Sequence, residues 1–136
     1  MKISTKSRYA IKLMLDIAEN EYKGNVSVKD LSERTKVPVK YLEQIVNVLS
    51  KNGLVTSHRG SQGGYTLSKG YENFTMGDII RVMEGNITDD YIDDGETINS
   101  FWHKLYKSLN DCMDSVTLGD IIEKEKNKNS IYEYYI

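Results

Sequence analysis

Three of the six residues in Arg59-Gly60-Ser61-Gln62-Gly63-Gly64 are glycine. So much access to positive φ marks a chain reversal with a flexible tip. Leu54-Val55-Thr56-Ser57 precedes it and Tyr65-Thr66-Leu67 follows it. Both read as short strands, so the span predicts a β-hairpin.

What comes before the hairpin has a different period. Over residues 5–21, Tyr9, Leu13, Met14, Ile17 and Ala18 share one stripe at spacings of three and four, the mark of an amphipathic helix. Ser4 or Thr5 supplies its N-cap. Gly24-Asn25 breaks the pattern. Ser27, with Asp30 three residues on, then opens a short second helix whose Val28 and Leu31 face inward. Lys36-Val37-Pro38 is a turn, and Pro38 fits the first turn of a third helix. That helix runs to about Asn52, ahead of Gly53. Leu42, Ile45, Val46 and Leu49 form its inward stripe; Lys40, Tyr41, Glu43, Gln44, Asn47 and Lys51 its outward face.

After the hairpin, Thr75-Met76-Gly77-Asp78 opens a fourth helix that ends near Gly85. Residues 86–97 are an acidic loop. Ile98 to about Asp114 reads as a longer helix with Phe101, Trp102, Leu105, Leu109 and Met113 at apolar positions. Thr117-Leu118-Gly119-Asp120 opens a last helix to about Lys126. Residues 124–130 are polar and expected to fray before Ile131-Tyr132-Glu133-Tyr134-Tyr135-Ile136.

The order helix, short helix, turn, helix, glycine-tipped hairpin is that of a winged helix-turn-helix. The expected fold is mostly α with a small β-hairpin wing. A helix of this kind fits the major groove and presents side chains to base edges, and the helix before it braces it across the backbone. Arg59, at the base of the hairpin, has the reach to enter a minor groove.

Charge supports a nucleic-acid face that the total conceals. The chain carries a net charge of only −2. Residues 1–70, however, hold 12 basic and 6 acidic residues, a net +6. Residues 71–136 hold 6 basic and 14 acidic, a net −8. Such polarity is a pointer to nucleic acid on one side. Taken singly, each feature has a plainer explanation: a tight turn for Gly63-Gly64, a solvated charge for Arg59, a wet helix face for Lys40, Glu43, Gln44 and Asn47. Taken together they favour DNA.

The ordered set Ile3-Ser4-Thr5-Lys6-Ser7-Arg8-Tyr9-Ala10, Tyr41-Leu42-Glu43-Gln44, Asn52-Gly53-Leu54-Val55, Arg59-Gly60, Gly63-Gly64-Tyr65, Gly77-Asp78-Ile79-Ile80 and Glu84-Gly85 resembles the Rrf-type winged-helix regulators, the family that includes IscR, NsrR and CymR. The resemblance implies a homodimer joined by the long back-half helix, with two heads on a palindromic operator in double-stranded DNA. Thr5, Lys6 and Arg8 would then touch phosphates; Lys40, Tyr41, Glu43 and Gln44 would enter the major groove; Arg59, Gly60, Ser61 and Gln62 would be the wing. Val28, Pro38, Val39, Asn47, Ser57 and His58 complete the expected DNA face. Glu43 is costly beside phosphates unless it accepts from a cytosine amine; the alternative is a surface pair with Lys40 or Lys51. Residues 1–85 would be the DNA-binding domain, with the helix-turn-helix at about 27–52 and the wing at about 54–68. Residues 86–136 would hold the acidic loop, the dimerisation helix and the tail. Phe101, Trp102, Leu105, Leu109 and Met113 offer more apolar surface than one short helix can hide, which suits pairing about a two-fold axis. Packing on the first helix would account for part of the stripe.

Several members of the family hold an iron–sulfur cluster on three clustered cysteines, the normal ligands of such clusters. Here residues 86–111 contain none, and Cys112 is the single cysteine. It reads as a buried small hydrophobe; redox sensing is the alternative, without a second thiol to resolve it. His58 and His103 make no metal spacing. No cofactor and no metal are expected. Phe101-Trp102, Asp114-Ser115-Val116-Thr117-Leu118-Gly119-Asp120 and Tyr135-Ile136 are similar to the cluster-free branch, which represses genes of cysteine metabolism in complex with cysteine synthase. A C-terminal isoleucine, Ile136, preceded by Tyr135, would offer a carboxylate and a compact apolar side chain to such a partner. The alternative is that these residues pack on the body of the protein.

Other classes fit less well. An enzyme is not expected, because no nucleophile–base pair, phosphate loop or metal spacing is present. A winged helix that binds protein rather than DNA remains open, as does a regulator answering to redox state, iron or nitric oxide. No apolar run approaches the roughly 18 residues of a membrane span, no signal peptide is visible, and a lone cysteine suits a reducing compartment. The expected location is the cytoplasm.

Overall fold

The computed structural model describes the backbone of residues 2–88 and 92–135, and side chains as far as residue 128. Six helices and one hairpin follow in the order α1 (Thr5–Asn20), α2 (Val28–Thr35), α3 (Val39–Lys51), β1 (Val55–His58), β2 (Gly64–Leu67), α4 (Met76–Glu84), α5 (Glu96–Asp114) and α6 (Leu118–Tyr135). The fold is mostly helical with a small wing, as expected.

α1 is the central element. It packs on α2, α3, α4 and β2, and Ala10, Leu13, Met14 and Ile17 on its inner face are fully buried. The inward stripe read for the third helix is the one observed: Leu42, Ile45, Val46 and Leu49 are all buried. Leu31, Val37, Phe74, Ile79 and Leu118 are among the other buried residues of this interior. The strands pair antiparallel, Val55 opposite Leu67 and His58 opposite Gly64.

Helix starts follow their caps. Ser4 accepts from the Ser7 amide, and Ser27 from the Asp30 amide. Thr75 and Asp78 form a reciprocal capping box at α4. Thr117 and Asp120 repeat it at α6, at 2.9 and 3.0 Å. The two starts are tied together: the Met76 amide donates to the Val116 carbonyl and the Leu118 amide to the Phe74 carbonyl. This places the base of α6 beside the core.

Three local expectations change. Pro38 is the N-cap of α3, one residue ahead of the helix proper. α5 begins at Glu96, behind Gly95, whose φ is +93°. α6 does not fray near Lys126 but continues to Tyr135. After Gly119 the chain has no glycine or proline, and its Glu and Lys residues are good helix formers, so polarity alone does not end it. No helix among the described residues is long and apolar enough to cross a membrane.

Candidate nucleic-acid interface

The turn between α2 and α3 sets the site. Lys36 closes α2 in the left-handed region, at φ 63°, and reverses the chain. The Ser32 hydroxyl donates to the Val37 carbonyl at 3.0 Å, holding the turn shut. Arg34 makes a bidentate pair with Asp16, at 2.8–3.2 Å, that fastens α2 to α1. The pair balances the Arg34 charge, and the Asp16 hydrogen bond raises the Arg34 pKa.

α3 then presents its wet face. Pro38, Val39, Lys40, Tyr41, Glu43, Gln44 and Asn47 are all exposed. Val39 and Tyr41 stand out, because they are large apolar groups left 45% and 41% open to solvent. The Tyr41 ring leans toward Tyr9 of α1, with centroids 6.4 Å apart, and the Lys40 ammonium stands 6.0 Å from the Tyr41 centroid. Among the described residues the ion pairs are Arg34–Asp16, Arg81–Asp114 and Lys107–Asp111. Glu43 therefore pairs with neither Lys40 nor Lys51, and its carboxylate is available to a partner.

The wing is anchored on two sides. β2 pairs with β1 on one edge; on the other, Val26 and Tyr65 exchange both backbone hydrogen bonds, at 3.0 and 2.8 Å. The Asn25 side chain donates to the Gln62 carbonyl at 3.0 Å and holds the tip. The His58 ring bonds to the Thr66 hydroxyl across the hairpin. Ser57, His58, Arg59, Gly60, Ser61 and Gln62 remain exposed. A concavity of about 250 Å³ lies between the start of α2 and the wing, lined by Val28, Ser57, His58 and Gly60 among others. Val28 is half-buried and rests on the core, as its inward reading required.

Thr5, Lys6 and Arg8 are exposed on the first turns of α1. Ser7 between them is fully buried. Its hydroxyl and the Ser4 amide both donate to one oxygen of Glu84, each at 2.7 Å. Hydrogen bonding from Ser4 and Ser7 holds the Glu84 carboxyl below its ordinary range. Sequence reading missed this contact and the Asn25 tie. Neither has a periodic signal, and Ser7 and Glu84 lie 77 positions apart.

The residues assigned to pairing divide. Phe101 and Leu105 are exposed, with Ile98 one turn earlier. Trp102, Leu109 and Met113 are half-buried. α5 packs on α4 through Arg81, which donates to Asn110 at 2.8 Å and to both oxygens of Asp114 at 2.8 and 2.9 Å. None of the residues of α5 is buried within the single chain. Cys112 is exposed, which corrects the buried reading: it falls seven residues after Leu105, on the open side of the helix rather than with Met113. The side chain of Tyr135, and Ile136, lie outside the described residues.

Residues 3–124 match the family model Rrf2, described as an iron-dependent transcriptional regulator. The donor set does not suit an iron site: among the described residues no three His, Cys, Asp or Glu side chains converge, and the chain has one cysteine. CymR of Bacillus subtilis is 36% identical over the full length of both chains. IscR of Klebsiella pneumoniae is 32% identical over 93% of this chain and 82% of its own. The solved structure of CymR, the global cysteine regulator of B. subtilis, superposes with a TM-score of 0.81 over 91% of this chain and 98% of its own. T. potens IscR, 41% identical, gives 0.76 over 92% and 88%. These relatives are transcription regulators, not enzymes. The chain belongs to the Rrf2 family of winged-helix, DNA-binding transcription regulators.

Proposed function

We propose that this regulator binds a palindromic operator in double-stranded DNA as a homodimer and represses genes of cysteine and sulfur metabolism, with cysteine synthase as its partner. The observation that carries the DNA face is a three-part set of free groups. The outward side of α3, the first turns of α1 and the wing tip are each exposed, and hydrogen bonds hold the turn ahead of α3, the start of α1 and the wing tip. In this reading Lys40, Tyr41, Glu43, Gln44 and Asn47 read the major groove behind Pro38 and Val39. Thr5, Lys6, Arg8, Val28, Ser57 and His58 border the backbone, and Arg59 with Gly60, Ser61 and Gln62 reaches the flanking minor groove. Residues 1–85 are the head, and α5 is the pairing element through Phe101, Trp102, Leu105, Leu109 and Met113. Two heads would then meet successive major grooves roughly 34–36 Å apart. The cysteine reading rests on the full-length likeness to CymR and on a donor set unsuited to iron.

The test is a titration of the protein against its own upstream DNA at several salt concentrations, with and without cysteine synthase. If Lys6 and Arg8 of both subunits meet phosphates, those four contacts alone should make log K fall with log[salt] with a slope of about −4. The enzyme should change the specific affinity, and removing Tyr135 and Ile136 should abolish that change. A flat salt response would overturn the DNA face; specific binding indifferent to the enzyme would remove the partner.

A further inference from the structure

Glu84 is the last residue of α4, and Gly85 behind it, at φ +88°, ends the helix and leads toward α5. Its Oε1 nevertheless belongs to the other end of the head. It accepts the Ser4 amide, just outside α1, and the hydroxyl of the fully buried Ser7. The first amides of any helix lack internal partners, and its first turn is prone to fray. Here that turn carries Thr5, Lys6 and Arg8. Two of its ties to Ser4 are long: the Arg8 amide reaches the Ser4 carbonyl at 3.3 Å, and the Ser7 amide reaches the Ser4 hydroxyl at 3.3 Å. The two bonds to Glu84, at 2.7 Å, are shorter than either. A carboxylate beside this turn is also an odd choice if DNA lies there, because its charge opposes phosphate. What it supplies in return is an acceptor that two donors share.

We propose that Glu84 is a positioning residue for DNA binding: it clamps the first turn of α1 to the end of α4, so that Lys6 and Arg8 stand in fixed register with α3. The role rests on the DNA-facing placement of α1 proposed above. Geometry, not charge, is what the clamp contributes.

Three variants test it, with binding to the chain's own upstream DNA read across a salt series. Glu84→Ala and Ser7→Ala should each weaken specific binding roughly tenfold and make the salt slope shallower, by up to about 0.9 for each phosphate contact released. Glu84→Gln keeps a carbonyl acceptor for Ser4 and Ser7 and should bind as well as the native protein or more tightly. Lys6→Ala should weaken binding in the native chain but add little in the Glu84→Ala background, since the two act through one contact. A general loss of stability would lower affinity without moving the slope or this coupling. Ser7→Ala exchanges a hydroxyl for hydrogen in a site that stays filled, so it serves if Glu84→Ala fails to fold. The proposal is overturned if the slope is native in Glu84→Ala or Ser7→Ala. It is equally overturned if Glu84→Gln binds as poorly as Glu84→Ala, or if Lys6→Ala retains its full effect in the alanine background. Lys6→Ala without effect in the native chain would instead remove α1 from the DNA face, and the proposal with it.

Discussion

Replacing Gly64 with alanine should damage the wing far more than the same change at Gly60. Both residues have positive φ, +153° and +106°. An alanine forced into such a region carries strain of about 1–3 kcal/mol. At Gly60 a Cβ meets nothing within 4 Å, so strain is the whole effect. At Gly64 it would stand 2.5 Å from the Val26 carbonyl oxygen and 2.6 Å from its carbon, both backbone atoms that cannot swing aside. The strand edge must open, and the two Val26–Tyr65 hydrogen bonds go with it. At about 0.5–1.5 kcal/mol each, the total for Gly64→Ala becomes about 2–6 kcal/mol, against about 1–3 for Gly60→Ala. Urea unfolding followed by far-UV circular dichroism, at one protein concentration, would measure both. A chain of 136 residues loses about 3–4 °C in Tm per kcal/mol, so thermal melts give an independent reading. If Gly64→Ala unfolds within about 0.5 kcal/mol of Gly60→Ala, a difference close to measurement error, the argument that the Val26 edge is closed to a side chain is wrong.

Two further outcomes are expected. The Asp114 carboxyl is held low by its hydrogen bonds from Arg81. Its contribution should therefore be complete above the unfolded value of about 3.9 and vanish as pH falls through the lower folded value. Both partners are partly open to solvent, so Asp114→Asn should remove about 1 kcal/mol at neutral pH and little in acid; an equal loss at pH 7 and pH 2.5 in denaturant titrations would contradict this. Leu105→Glu should turn the proposed dimer, in sedimentation, into a species of 15.6 kDa, and Cys112, on the same open side of α5, should then be alkylated faster. A dimer that survives Leu105→Glu would mean that α5 is not the pairing element.

The parts of the fold that sequence reading reached are those with a period or a cap. Leu42, Ile45, Val46 and Leu49 repeat at the helical interval, and all four are buried. Thr75 and Thr117 each stand three residues before an aspartate, and both open helices. Gly60 and Gly64 announce the hairpin because few other residues suit their positive φ, and at Gly63 a Cβ would meet the His58 carbonyl oxygen at 2.6 Å. What escaped was non-local. Glu84 looked like the end of a helix, and nothing near it in sequence announces a buried serine at position 7. Asn25 looked like a breaker, yet its side chain holds the wing tip. Arg34 adds to the basic total of residues 1–70, yet Asp16, far from it in sequence, lies against it. Cys112 was misplaced by one step of helical phase, since Leu109 and Met113 turn toward partial cover while it points with Leu105. The end of α6 is not legible in the sequence, because a polar, solvated stretch carries no apolar period to mark that the helix continues to Tyr135.

The double attachment of β2 has a thermodynamic consequence for recognition. A hairpin joined only to its neighbour strand swings independently and must be immobilised when a ligand arrives, at an entropic penalty of about 1–2 kcal/mol for each residue whose backbone freezes. Here Val26, the residue before the Ser27 cap of α2, holds β2 through Tyr65, and Asn25 ties the loop. These ties, with the Ser32–Val37 bond that closes the turn into α3, restrain the wing relative to α2. Much of the ordering is complete before any encounter, and affinity gained in this way is lost mainly through faster dissociation when either tie is cut.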